Sequence, residues 1–159
     1  MIEPETAAVR GLMDFLNASP TAFHAVEALR QMLLAEGFTE LPESARWSLA
    51  PGGSYFTTRN GSSILAFRVG TELSEPGFTL TASHSDSPCF KIKENAELRV
   101  RDRYVQLNTE GYGGMICSTW LDRPLGVAGR GLGRTQTEAG GGGGDPGGGV
   151  GRGLGVDPR

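Results

Sequence analysis

An α/β fold is predicted, with helices at the N-terminus, a mixed sheet after them, and a glycine-rich tail that adds no further layer. Three patterns predict it. Apolar residues recur at helical spacing ahead of Gly37, apolar and polar residues alternate in short runs between Tyr55 and Leu107, and both patterns vanish after Arg130. Leu12, Phe15 and Leu16 form an apolar stripe that predicts a first helix from about Thr6 to Ala18. Ser19-Pro20-Thr21 is a helix-start signal. Ala22, Ala25, Val26, Leu29, Met32 and Leu33 then fall on one face of a second helix, from about Thr21 to Glu36, with Gly37 as its stop. Both helices are expected to pack into a core rather than to hold a partner. His24 lies in the first turn of the second helix, where a capping or packing role is expected of it.

Strands are predicted at about Tyr55 to Arg59, Ser63 to Val69 and Phe78 to Ser83, with Asn60-Gly61 as a hairpin turn between the first two. A second hairpin is predicted from Leu98 to Val100 and Tyr104 to Leu107, around Arg101-Asp102. In the third strand Phe78, Leu80 and Ala82 point one way and Thr79, Thr81 and Ser83 the other, the pattern of a half-buried strand. It leads into His84-Ser-Asp86-Ser-Pro88, and Pro88 argues against continuation. In extended chain, positions 84 and 86 share a side. His84 could then offer a ring nitrogen to a metal, while Asp86 either ligates or fixes the imidazole tautomer. Taken alone, His-x-Asp is usually a hydrogen-bonded pair at a strand end.

Residues 131–159 hold 13 of the 25 glycines, no aromatic residue and a Gly140 to Gly144 run followed by Asp145-Pro146-Gly147. Such a stretch buries too little apolar surface to offset its ordering entropy, so a disordered tail is expected. The run lacks the Lys-Ser/Thr ending of a phosphate loop and has no aromatics to interleave with its three arginines. A net charge of -3 leaves no footprint for nucleic acid. Met1-Ile-Glu-Pro-Glu is acidic where a signal peptide is basic, and no apolar run approaches the length of a membrane span, so a cytoplasmic location is expected. Cys89 and Cys117 show no Cys-x-x-Cys spacing and are expected to be free thiols.

Four stretches, in order, carry a resemblance. They are Leu16-Asn-Ala-Ser-Pro20-Thr-Ala-Phe-His24-Ala-Val26, Gly53-Ser-Tyr-Phe-Thr-Thr-Arg59-Asn-Gly-Ser-Ser63, Ser83-His84-Ser-Asp86-Ser-Pro88, and Tyr112-Gly-Gly-Met-Ile-Cys-Ser-Thr-Trp120-Leu-Asp122-Arg-Pro-Leu-Gly-Val-Ala-Gly-Arg130. Together they resemble the aspartyl aminopeptidase and aminopeptidase I family of zinc metallopeptidases, over about residues 10 to 130. The resemblance implies a partial zinc-aminopeptidase catalytic domain and an enzyme that removes N-terminal, often acidic, residues from peptides. It implies two zinc ions in the complete enzyme, with His84 as a metal ligand and Asp86 as the catalytic-site carboxylate that orients it. It further implies a homo-oligomer. No metal role carries over to Asp122, for which a structural pairing with Arg123 or a turn amide is expected.

The family's bridging Asp, its Glu pair, another Asp and a late His belong to motifs downstream of Trp120-Leu-Asp122, and none is visible here. The chain has only two histidines. Residues 1–130 are therefore expected to be the N-terminal part of the catalytic domain, entering the oligomerisation region near its end, and residues 131–159 a low-complexity tail left by a lost reading frame or a truncation. Catalysis by this chain alone is not expected, and a non-catalytic remnant acting through packing or subunit contacts is the alternative. Exposed sheet edges and apolar helix faces are expected to make it marginally stable.

Overall fold

The computed structural model describes residues 4–72 and 77–130. Its contacts divide into two compact units, one comprising the residues through Ser85 together with those from Gly126 onward, the other Asp86–Leu125. The tail predicted at 131–159 lies outside the described residues.

In the first unit, α1 spans Pro4–Ala18 and α2 spans Ala22–Ala35. Proline at the start of α1 loses nothing, because the first helical N–H has no intrahelical acceptor. Thr21 caps α2: its backbone is extended at φ -139, and its hydroxyl accepts the His24 N–H at 3.5 Å. The other end closes as the Gly37 signal predicts. Gly37 takes φ 78, its N–H donates to the Leu34 carbonyl at 3.0 Å, and the Phe38 N–H reaches back to Leu33 at 2.9 Å, which satisfies carbonyls the helix leaves open.

A three-stranded sheet follows, ordered β1 (Thr39–Glu40), β2 (Ser54–Arg59), β3 (Ser63–Arg68). β1 pairs parallel with β2 and β2 antiparallel with β3, so the sheet is mixed. The β2–β3 turn is the one Asn60-Gly61 predicts: both residues are left-handed (φ 55 and φ 67), and the Ser62 N–H closes the turn on the Arg59 carbonyl at 3.2 Å. Phe56 is fully buried, and Ala25 and Val26 of α2 join it as the buried apolar residues among those described. On the opposite face, Tyr55 and Phe67 are cross-strand partners, and Trp47 stacks on Phe67 with centroids 6.0 Å apart.

The apolar stripe of α1 is where expectation and structure part. Phe15 is half-buried, but Leu12 and Leu16 are 58% and 60% exposed. The helical period is right, while the surface that would cover the stripe is absent among the described residues.

The strand expected at Phe78 to Ser83 is likewise not formed. Residues 77–88 carry no regular structure, and Phe78 and Leu80 are 102% and 81% exposed. Alternation fixes which side chains share a face, but a strand also needs a neighbour to take its N–H and C=O groups. The sheet β1-β2-β3 does not extend to this segment.

The second unit is built on a long hairpin, β4 (Cys89–Val100) with β5 (Tyr104–Tyr112), and a 3-10 turn at Cys117–Thr119. β4 begins directly after Pro88, as befits a residue with no N–H for a ladder. The turn at Arg101-Asp102 is the predicted one, yet the strands run far beyond Leu98 and Leu107. The register shifts between Ile92 and Glu97, and this bulge interrupts the alternation that would have marked the whole hairpin. Phe90 meets Trp120 edge to face at 5.4 Å, holding the 3-10 turn against β4.

Candidate functional site

His84 lies near the end of the first unit and is exposed; Asp86 opens the second and is half-buried. On the His84 side, the Ser85 hydroxyl donates to the Ser62 carbonyl at 3.3 Å, which fastens this segment to the β2–β3 turn. Arg130 also anchors that turn: its guanidinium donates to the Asn60 carbonyl at 2.7 Å.

On the Asp86 side, the Tyr112 hydroxyl donates to Asp86 Oδ2 at 2.5 Å. Backbone geometry sets up the contact. Tyr112 is the last residue of β5 and pairs with Cys89, the first of β4, so the phenol stands beside the chain that leads into β4. Gly113 turns away at φ 73 with the Pro88 Cα only 3.5 Å from where a Cβ would stand. The bond donated to the Asp86 carboxylate, and then that carboxylate's charge, hold the Tyr112 phenol above its ordinary pKa.

Of two further residues weighed in the sequence, His24 takes the structural place expected of it. The His24 ring Nδ1 sits 2.7 Å from the Thr21 hydroxyl, within the cap of α2. Asp122 lies in a turn at φ 55, just beyond the 3-10 turn. In the sequence Tyr112 stands only as the first residue of the fourth family-like stretch, and nothing local points to a partner 26 positions earlier. A cleft of about 380 Å³ opens at the β4 bulge, lined by Lys91, Lys93, Glu94, Asn108 and Glu110, and includes neither His84 nor Asp86.

An imidazole with a carboxylate two residues on is a donor pair of the kind zinc takes. In number it falls short: among the described residues no group of three or more His, Cys, Asp or Glu side chains is placed to hold a metal ion. Zinc takes three or four protein ligands, so His84 fits as one member of a larger set.

The helices followed by a mixed sheet match solved peptidase structures. The chain aligns with mApe1 of Chaetomium thermophilum at a TM-score of 0.69 and 42% identity, covering 77% of this chain and 28% of that one. Yeast aminopeptidase 1 aligns at 0.68 and 28% identity, over 82% of this chain and 31% of that one. These likenesses place the fold with that of the solved aminopeptidases. The model of the aminopeptidase I zinc metalloprotease (M18) family matches residues 15–140, and the chain belongs to that family. A probable M18 family aminopeptidase 2 from Clostridium novyi is 51% identical over 120 residues, which is 75% of this chain and 28% of the relative. Its counterpart from Ectopseudomonas mendocina is 48% identical over 123 residues. The chain thus spans about 28% of the length of these relatives. The match runs past Arg130, where the composition changes.

No described helix is long and apolar enough to cross a membrane.

Proposed function

We propose that these residues form the N-terminal portion of a cytoplasmic zinc aminopeptidase that releases N-terminal residues, acidic ones among them, from peptides. The observation that carries this reading is His84-Ser-Asp86 in a chain belonging to a zinc metalloprotease family. His84 is then a metal ligand, and Asp86 is the carboxylate that orients it. Two zinc ions, when bound, supply Lewis acidity to the scissile carbonyl and an activated water. The remaining ligands and the general base must come from beyond these residues, because the chain has two histidines and His24 is engaged in the α2 cap. Activity therefore depends on residues beyond these.

A homo-oligomer belongs to the same proposal. It is supported by the yeast relative described as an mApe1 dodecamer, and by Leu98, Val105 and Leu107, which are 45%, 51% and 52% exposed on the hairpin. A second reading, a non-catalytic remnant that associates through apolar faces, draws on the uncovered stripe of α1.

The test is expression of the product encoded through and beyond the Arg130 codon, assayed on peptides beginning with Asp, Glu or Leu. Chelator-sensitive release, restored by zinc, supports the enzyme. Absence of release, or release indifferent to chelator, contradicts it.

A further inference from the structure

We propose that Tyr112 is a positioning residue, holding the Asp86 carboxylate in one orientation through the hydrogen bond its phenol donates; the proposal rests on the reading of His84 and Asp86 given above. The bond, at 2.5 Å, is at the short end of those a hydroxyl makes to a carboxylate. Backbone brings its two ends together. Tyr112 is fixed by the terminal rung of the ladder opposite Cys89, and Asp86 stands three residues before Cys89, with Pro88 restricting its own φ and the conformation of Ser87 between them. Gly113 completes the junction: its left-handed φ of 73 lets β5 end beside Pro88.

Packing does not account for this tyrosine. It is 44% exposed, and phenylalanine would fill the same place in the strand. What the hydroxyl adds is a fixed donor aimed at a carboxylate two residues from the candidate ligand. A carboxylate that orients an imidazole works only if its own rotamer is held, and losing such outer partners costs metal sites about 10- to 100-fold in affinity.

The experiment uses the 159-residue chain labelled with 15N-histidine and titrated with zinc chloride to millimolar concentration. The chain's two histidines give separate ring signals, and His24 serves as the internal control. The wild-type His84 signal is expected to shift with zinc. Tyr112→Phe is expected to raise the midpoint about tenfold with no change in melting temperature. Asp86→Asn is expected to do the same, and the double variant to do no more than either, since the two act through one bond.

Each outcome decides. A Tyr112→Phe midpoint equal to wild type, with Asp86→Asn weakened, overturns the role of Tyr112 and leaves the reading of Asp86 standing. An Asp86→Asn midpoint equal to wild type overturns both. A wild-type His84 signal that ignores zinc sinks the ligand reading itself, and the proposal with it. Should Tyr112→Phe unfold the hairpin, 3-fluorotyrosine at position 112 keeps the shape and alters the donor; an unchanged midpoint there again overturns the proposal.

Discussion

The Arg130 guanidinium lies over the Phe23 ring, 4.3 Å from its centroid, while its Nη1 donates to the Asn60 carbonyl. One side chain thus ties the far end of the described residues to the first turn of α2 and to the β2–β3 turn. The family likeness of Val127-Ala-Gly-Arg130 has a physical counterpart in that clamp.

Arg130→Ala is expected to lower stability by about 1 kcal/mol, the sum of a cation on an aromatic face and a charged donor on a carbonyl. Arg130→Lys is expected to recover less than half, because an ammonium lacks the planar face that covers the ring. Urea denaturation followed by far-UV dichroism measures both; equal stability of all three proteins would contradict the role.

The hairpin turn of the second unit holds two non-glycine residues, Arg101 and Asp102, both at φ 50. Left-handed backbone costs an L-residue about 1 kcal/mol, and the Asn60-Gly61 turn shows how the same geometry is made with less strain. Asp102→Gly is expected to stabilise by roughly 0.5 to 1 kcal/mol, read as a rise in melting temperature.

Ionisation of Tyr112 is expected to be delayed by Asp86, whose carboxylate accepts the phenolic proton's bond and repels the phenolate. A folded pKa raised above the unfolded one gives stability that is fully present below about pH 10 and is lost as pH climbs through the folded value. Asp86→Asn is expected to bring the Tyr112 titration down toward the ordinary phenol range in an ultraviolet pH titration. An unmoved curve would show that the bond does not persist in solution.

Val9, Leu12, Met13 and Leu16 present an uncovered apolar stripe on α1, each between 57% and 60% exposed. Replacing Leu12 and Leu16 with Glu is expected to reduce self-association of the isolated chain without lowering its melting temperature, since neither side chain is buried here. Light scattering beside a thermal melt checks it; a monodisperse wild-type monomer with a sharp transition would remove the premise.

The ion pair of Arg30 with Glu40, 2.8 Å apart, joins α2 to β1 with both side chains about a third exposed (33% and 32%). It is expected to contribute under about 1 kcal/mol, because solvent screens pairs of this kind. Glu40→Gln followed by denaturation in low and high salt measures it.

The elements legible in the sequence were those whose signals are local. Thr21 and Gly37 bracketed α2, and Asn60-Gly61 fixed the first hairpin, because a cap or a left-handed turn is decided by a few adjacent residues. The segment Phe78 to Ser83 failed for the opposite reason: alternation is local, but a strand is made by its neighbour. The full reach of β4 and β5 was hidden by the bulge after Ile92, which breaks the period of two. At the candidate site, His84 and Asp86 stood out by type and spacing, whereas Tyr112 acquired meaning only when the Cys89 to Tyr112 rung brought it beside Asp86.

The measurement that bears most directly on the central claim is the sequence of the coding DNA through and beyond the Arg130 codon, translated in all frames. The account predicts a frame that resumes with an Asp motif, a Glu-Glu pair and a late His, the residues that would complete a site begun at His84. Frames empty of all three would contradict it and leave His84 and Asp86 as parts of a site this protein does not build.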